Sequence, residues 1–170
     1  MKEKIYREVL EENYSKVFKL CLRYFGNTAE AEDAAQDVFV KVWMNMDRFR
    51  GESAISTWLY RIATNVCLTS FRNRKPETIH IDRIENEKTD EDDPDESSKQ
   101  ETGQRKIEFF NDYIGRLSPG DRTIVSLYLE DVDSKTIAEI TGLSDTNIRT
   151  RIHRIKNGIK TEWEEKYGIR

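Results

Sequence analysis

The residue types best placed to do chemistry here are those that bind polyanions, not those that attack or protonate. The chain has only two His and two Cys. No Cys/His pair falls at ligand spacing and no Gly-rich phosphate loop is present, so no catalytic residue, metal, cofactor or small-molecule substrate is expected. Between Thr146 and Lys160, by contrast, there are five Lys/Arg and no Asp/Glu. At about 100° per residue, Ile148, Ile152, Ile155 and Ile159 fall in one narrow stripe that must face a core. Thr146, Thr150, His153 and Asn157 then point the opposite way, flanked by Arg149, Arg154, Lys156 and Lys160. A helix that only solubilises a bundle would normally mix signs, as Thr161 to Lys166 does. Five uncompensated cations opposite an Ile stripe fit the major groove of a duplex better. Asn147, Arg149, Thr150 and His153 are the candidates for base edges, Arg being able to make a bidentate contact to guanine. Arg151 and Arg154 lie towards the flanks, where phosphates pass and contacts add salt-sensitive affinity.

The elements that must position this helix are legible before it. Ser118-Pro119-Gly120-Asp121 reads as a helix start with a cap, a Pro at the first position and an acidic first turn, and the helix runs to about Glu130. Ser134 starts a short helix that covers Lys135 to about Thr141. Gly142-Leu143-Ser144 makes a tight turn in which Ser144 caps the next helix at the amide of Asn147. Short helix, turn with Gly, longer helix is a helix-turn-helix.

Nearer the N-terminus, Asn27 and Glu30 have the spacing of a capping box. The helix they open buries Ala31, Ala35, Val38, Phe39, Val42 and Met46 and leaves Val40 and Met44 among Asp33, Gln36 and Asp37. Two apolar residues in line, ringed by carboxylates and an amide, suit a docking face for a basic protein partner; isolated exposed apolar residues are the competing reading. Beyond it, Arg48-Phe49-Arg50-Gly51-Glu52-Ser53-Ala54 reads as a loop and a helix starts near Ser56. In that helix Trp58, Ile62 and Val66 are expected to form the core stripe, with Tyr60, Arg61 and Thr64 off it. A basic loop and helix interleaved with Phe49, Tyr60 and Asn65 could stack and read unpaired bases, or the aromatics could be core. Pattern alone leaves both open.

Composition frames these elements. The net charge is -4, which at first sight argues against a nucleic-acid partner. Residues 1–75 hold 13 Lys/Arg against 10 Asp/Glu, residues 76–104 hold 3 against 11, and residues 105–170 hold 12 against 11. The acidity therefore belongs to one middle segment, whose run from Thr89 to Ser98 has no apolar residue and cannot offset the entropy of ordering. The expectation is an all-α chain of two small helical domains, 1–75 and 105–170, joined by a flexible acidic linker over 76–104, with Ile79, Ile81 and Ile84 as a short docking stretch. The start of the chain lacks the apolar core of a secretory signal, and Cys21 and Cys67 fall among apolar residues of helical pattern, which points to reduced, buried thiols and a cytoplasmic protein.

Ala31-Glu32-Asp33-Ala34-Ala35-Gln36-Asp37-Val38-Phe39-Val40-Lys41-Val42-Trp43, Phe49-Arg50-Gly51-Glu52-Ser53, Thr57-Trp58-Leu59-Tyr60-Arg61-Ile62-Ala63-Thr64-Asn65 and Asn147-Ile148-Arg149-Thr150-Arg151-Ile152-His153-Arg154, in that order, resemble the extracytoplasmic-function sigma factors of bacterial RNA polymerase. The resemblance implies that Asp33, Gln36, Asp37, Val40 and Met44 bind the clamp of core polymerase. It implies that Arg48, Phe49, Arg50 and Ser53, with Tyr60, Arg61 and Asn65, engage the minus-ten element and hold a base flipped from the non-template strand. It assigns Asn147, Arg149, Thr150, Arg151, His153, Arg154 and Lys156 to the minus-thirty-five duplex, sends the linker through polymerase towards the RNA exit channel, and implies an anti-sigma partner, often membrane-bound. Two features depart from the family pattern: Thr150 and His153 in the recognition helix, and the weakly polar run Val66 to Phe71. A stand-alone helix-turn-helix regulator, binding palindromic half-sites as a dimer, is the alternative.

Overall fold

A computed structural model describes residues 1–72, 80–81 and 97–168, with side chains left out at 97–100. All its elements among the described residues are helical: α1 (Lys2–Phe25), α2 (Thr28–Asn45), a 3-10 turn (Met46–Arg48), α3 (Ile55–Arg72), α4 (Ser97–Gly115), α5 (Pro119–Leu129), α6 (Ser134–Thr141) and α7 (Asp145–Tyr167). Local sequence sets most of their ends. The Asn27 side chain accepts from the Glu30 amide at 2.9 Å, Ser118 Oγ from the Asp121 amide at 3.3 Å, and Ser144 Oγ from the Asn147 amide at 3.2 Å. Each satisfies an amide that the helix itself leaves without a partner. The cap of α6 is Asp133, which accepts from the Thr136 amide at 2.9 Å, so that helix begins one residue earlier than its sequence pattern suggests. Gly142 closes α6 at φ +76°, a left-handed conformation that lets the chain turn directly into Ser144 and α7.

The helix α4 starts at Ser97, inside the segment expected as linker. The correction has a physical basis: Lys, Gln, Glu and Arg from Lys99 onwards are good helix formers, and Gln104 donates to Glu108 one turn on at 3.0 Å. Of the expected docking stretch, Ile81 is buried; Ile79, Ile84 and the rest of residues 82–96 lie outside the described residues.

In the N-terminal half, α1 and α2 form an antiparallel pair with α3 across it. Val17, Leu20, Cys21, Ala31, Ala35, Val38, Val42, Leu59 and Ala63 fill the space between them. In the C-terminal half, α7 lays Ile148, Ile152 and Ile155 against α5 and α6, where Ile124, Leu127 and Ile137 are buried. The two halves do not stand apart. Helix α1 packs on α4 and α5, and α3 on α5 and α6, so one apolar core runs through both.

Two arginines cross that boundary in opposite directions. Arg23 of α1 reaches Glu130 at the end of α5, donating to its carboxylate at 2.9 Å and to the Ser126 carbonyl at 3.5 Å. Arg122 of α5 reaches back to the C-terminal end of α1, donating to the Tyr24 carbonyl at 3.3 Å, and also to the carbonyls of Gly115 and Leu117 at 2.9 Å each. A guanidinium suits this position because the ends of α1 and α4 both present unpaired carbonyls and a partial negative charge. Its face lies over the Phe71 ring of α3, and burial lowers its pKa from the ordinary arginine value.

This double packing widens the expected stripe of α3, in which Val66 is buried and Trp58 and Ile62 pack against the core. Thr57, Leu59, Tyr60, Ala63, Thr64, Val66 and Cys67 are buried, whereas Trp58 and Ile62 are only half-buried. A helix covered by α1 and α2 on one side and by α5 and α6 on another has a buried arc wider than one stripe.

Candidate nucleic-acid interface

Helix α7 presents its outward face as expected. Asn147, Arg149, Thr150, His153, Arg154 and Lys156 are exposed and Arg151 is half-buried. His153 points away from the isoleucines, and its Nε2 pairs with the Asn157 side-chain amide at 3.0 Å. The charges are not bare, however, which corrects the expectation of five uncompensated cations. Arg149 pairs with Asp145 one turn earlier, and this hydrogen bond, with others, holds the Asp145 carboxyl below the ordinary value. Asp121 of α5 takes Arg151 on one carboxylate oxygen at 3.2 Å and Arg154 on the other at 2.7 Å. The Lys156 ammonium sits 4.6 Å from the centre of the Tyr128 ring, and Lys160 lies 4.0 Å from Glu164. Counting charge along one helix could not show the carboxylate of Asp121, which lies 30 residues upstream of Arg151.

On α2, Asp33, Gln36 and Asp37 are exposed beside Val40 and Met44, which are 55% and 70% accessible. These five residues form one continuous face along the helix, since they recur at three- and four-residue spacing. Nothing among the described elements covers the two apolar side chains.

The residues assigned to unpaired DNA divide into two groups. A cleft of about 390 Å³ opens between the end of α2 and the outer face of α3, lined by Lys41, Asn45, Arg48, Trp58, Ile62, Asn65, Val66 and Thr69. Arg48 and Asn65 both line it. Phe49 is half-buried, its ring centre 5.3 Å from that of Trp58, so the loop packs a second aromatic against the one that lines the cleft. Arg50 is exposed and Ser53 half-buried in the same loop. Lys41, Asn45, Ile62, Trp58 and Thr69 were not singled out as site residues. Lys41 and Asn45 sit one turn apart, directly before Arg48, and that spacing was the available signal.

Tyr60 and Arg61 belong elsewhere. Tyr60 is 4% exposed, so in this arrangement of the chain its ring is covered. It lies on the face of α3 turned to the C-terminal half, where burial and the nearby Glu130 carboxylate push its phenol up to about 12. Arg61 is exposed, but donates to the Glu139 carbonyl of α6 at 3.3 Å.

Cys21 and Cys67 face each other at 3.8 Å between the sulfurs, as free thiols, both fully buried. The hydrogen bond between them, with burial, raises the Cys67 thiol well above its ordinary range. Among the described residues no group of His, Cys, Asp or Glu could hold a metal ion, and no helix is long and apolar enough to cross a membrane.

These surfaces have counterparts in known proteins. Two family models match the chain, Sigma-70 region 2 over residues 9–77 and Sigma-70, region 4, over residues 110–157. The ECF RNA polymerase sigma-E factor of Haemophilus influenzae is 32% identical over 170 residues, spanning 94% of this chain and 88% of its own. ECF RNA polymerase sigma factor SigW of Bacillus subtilis is 29% identical over 171 residues, spanning 92% and 88%. Among solved structures, the sigma factor RpoE in complex with the anti-sigma factor NepR from Bartonella quintana has the same fold. Its TM-score is 0.71 at 19% identity, covering 93% of this chain and 96% of that one. CnrH in complex with the cytosolic domain of CnrY gives 0.68 at 16%, covering 96% and 90%. With both sigma-70 regions in order and relatives matched over nearly their full length, this chain belongs to the extracytoplasmic-function sigma factors, the sigma-70-type initiation factors of RNA polymerase.

Proposed function

We propose that this chain delivers core polymerase to promoters through three separate surfaces. The acidic and apolar face of α2, with Asp33, Gln36, Asp37, Val40 and Met44, docks the polymerase clamp. The cleft with Arg48, Phe49 and Asn65 takes the opened minus-ten strand, with Arg50 and Ser53 in the same loop. Trp58 and Phe49 supply stacking surface, Arg48 and Lys41 the cationic walls, and Asn65 an amide that can read a base edge. The outward face of α7 reads the minus-thirty-five duplex. Residues 1–75 and 105–170 act as the two promoter-binding domains and the acidic segment between them as their tether. The chain contributes no catalytic group; polymerase performs the chemistry, in the cytoplasm. A protein of anti-sigma type is the partner expected to sequester it, as NepR and CnrY are found bound in the two structural neighbours.

The observation that supports this reading is the presence on one chain of a cleft lined by Lys41, Arg48 and Trp58 and of an exposed basic helix face, with an uncovered apolar patch between carboxylates on a third surface. Tyr60 and Arg61 join the minus-ten surface only when α5 and α6 leave α3, so promoter opening requires the two halves to part. The test is to separate the surfaces by mutation. Val40→Asp with Met44→Asp should abolish association with core polymerase and leave the fold intact. Asn65→Ala should leave association intact and impair opening at the minus-ten element. Loss of polymerase association in Asn65→Ala would mean that the two faces are wrongly assigned.

A further inference from the structure

The reading of α7 as the duplex-binding helix leaves Asp121 unexplained, and the inference drawn here rests on that reading. A carboxylate beside a DNA-binding surface repels phosphate, so its presence against two of the five cations requires a reason. The Asp121 side chain is 13% exposed and rigidly held. Its backbone amide is bonded to Ser118 Oγ, and it sits in the first turn of α5, where the helix dipole favours a negative charge. Arg151 and Arg154 reach it from α7, three residues apart and so on one flank of that helix. Arg154 keeps 65% of its side chain exposed while paired, and Arg151 keeps 33%. Both guanidiniums are therefore fixed in place with faces still open to solvent. The Arg151 guanidinium also lies over the start of α5, since a Cβ added at Gly120 would stand 3.6 Å from its Nη1. Helix amides there repel a cation, and Asp121 is the group in contact that offsets them.

We infer that Asp121 is a positioning residue for promoter recognition: it holds Arg151 and Arg154 at a fixed spacing for phosphates in register with a correctly read duplex, and withholds one unit of charge from DNA in any other register. An unpaired Arg can follow any phosphate at the cost of its own rotamer freedom, and gains affinity without discrimination. A pair already ordered by a shared carboxylate loses little more on meeting phosphates at the right places, and gains less at the wrong ones. The predicted signature of Asp121 is thus weaker binding to DNA in general and a larger ratio of specific to general binding.

The experiment uses the full chain and two fluorescent duplexes, one of mixed sequence and one enriched from a random pool by the wild-type chain with core polymerase, titrated by anisotropy across salt. Asp121→Asn should tighten binding to the mixed duplex and steepen its log–log salt slope by about 0.9, the equivalent of one further phosphate neutralised; at 0.1 M salt that is about eightfold. The ratio between the two duplexes should fall by a similar factor. Asp121→Glu, which keeps the charge, should restore the wild-type slope. Asp121→Asn combined with Arg154→Gln should also return to it, which separates released charge from a damaged fold. An unchanged slope and ratio, or equal weakening on both duplexes, overturns the inference. Failure of the wild-type chain to enrich any duplex overturns the parent reading of α7, and is seen before any substitution is made.

Discussion

Glu130→Ala tests how the two halves are held together. The Arg23 and Glu130 side chains are 9% and 8% exposed and 2.9 Å apart. Without the carboxylate, Arg23 retains the Ser126 carbonyl at 3.5 Å, a weak partner for a buried cation. Leaving one member of a buried pair uncompensated costs about 3 to 5 kcal/mol. Here the chain has a way to avoid that cost, because parting α1 and α3 from α5 and α6 returns Arg23 to water. The closed arrangement should then lose about two to three and a half orders of magnitude in population relative to the open one, at about 1.4 kcal/mol per factor of ten. Spin labels on Glu32→Cys in α2 and Glu165→Cys in α7, both exposed sites, would report the separation by pulsed electron resonance; the native thiols are buried and leave the labelling selective. The expected result is one narrow distance distribution in the parent chain and a longer, broad one in Glu130→Ala. Arg23→Met with Glu130→Leu should restore the narrow distribution, since an apolar pair of similar volume replaces a buried ion pair at little cost. An unchanged distribution in Glu130→Ala would refute the argument that this pair holds the halves closed.

Other outcomes follow from the same packing. The Tyr60 phenol is raised from 10 to about 12 in the closed chain, so the closed arrangement binds this proton more tightly than the open one. Its contribution is complete below pH 10 and is lost as pH rises towards about 12. The same spin-label pair should therefore show opening in that window, and Tyr60→Phe should remove the part due to this group. Cys21 and Cys67 should resist an aromatic disulfide reagent in the native chain and react at the rate of unfolding, because the raised Cys67 thiol yields little thiolate and neither sulfur is accessible; fast modification of either would contradict their burial. Leu20→Ala, at a fully buried position of α1, should lower stability by about 2 to 5 kcal/mol in chemical denaturation, whereas Val40→Ala on the exposed face should change it by less than about 0.5.

Where sequence reasoning succeeded, the determining physics was local. A cap acts over three residues, so Asn27, Ser118 and Ser144 could be read directly, and an isoleucine every three or four residues places one face of α7 whatever packs on it. The arrangement failed to show itself where distant elements meet. Tyr60 looked free because periodicity reports that a helix has a buried face, not that a second domain covers another. Asp121 escaped notice as a partner of Arg151 and Arg154 because nothing in the α7 pattern points to α5. Trp58, taken as core, lines the cleft for the same reason that Tyr60 does not: α3 is turned to bury its other side between the two halves. The three surfaces were legible as residue types; which of them are open at once depends on contacts between domains.

The central claim is that this chain confers promoter specificity on a polymerase that lacks it, and transcription in vitro with purified core polymerase and a promoter library tests it most directly. The account predicts initiation from a small set of templates sharing a minus-ten and a minus-thirty-five element at fixed spacing, lost with Val40→Asp and Met44→Asp. Initiation no more selective than that of core polymerase alone, or binding to palindromic half-sites without polymerase, would contradict it.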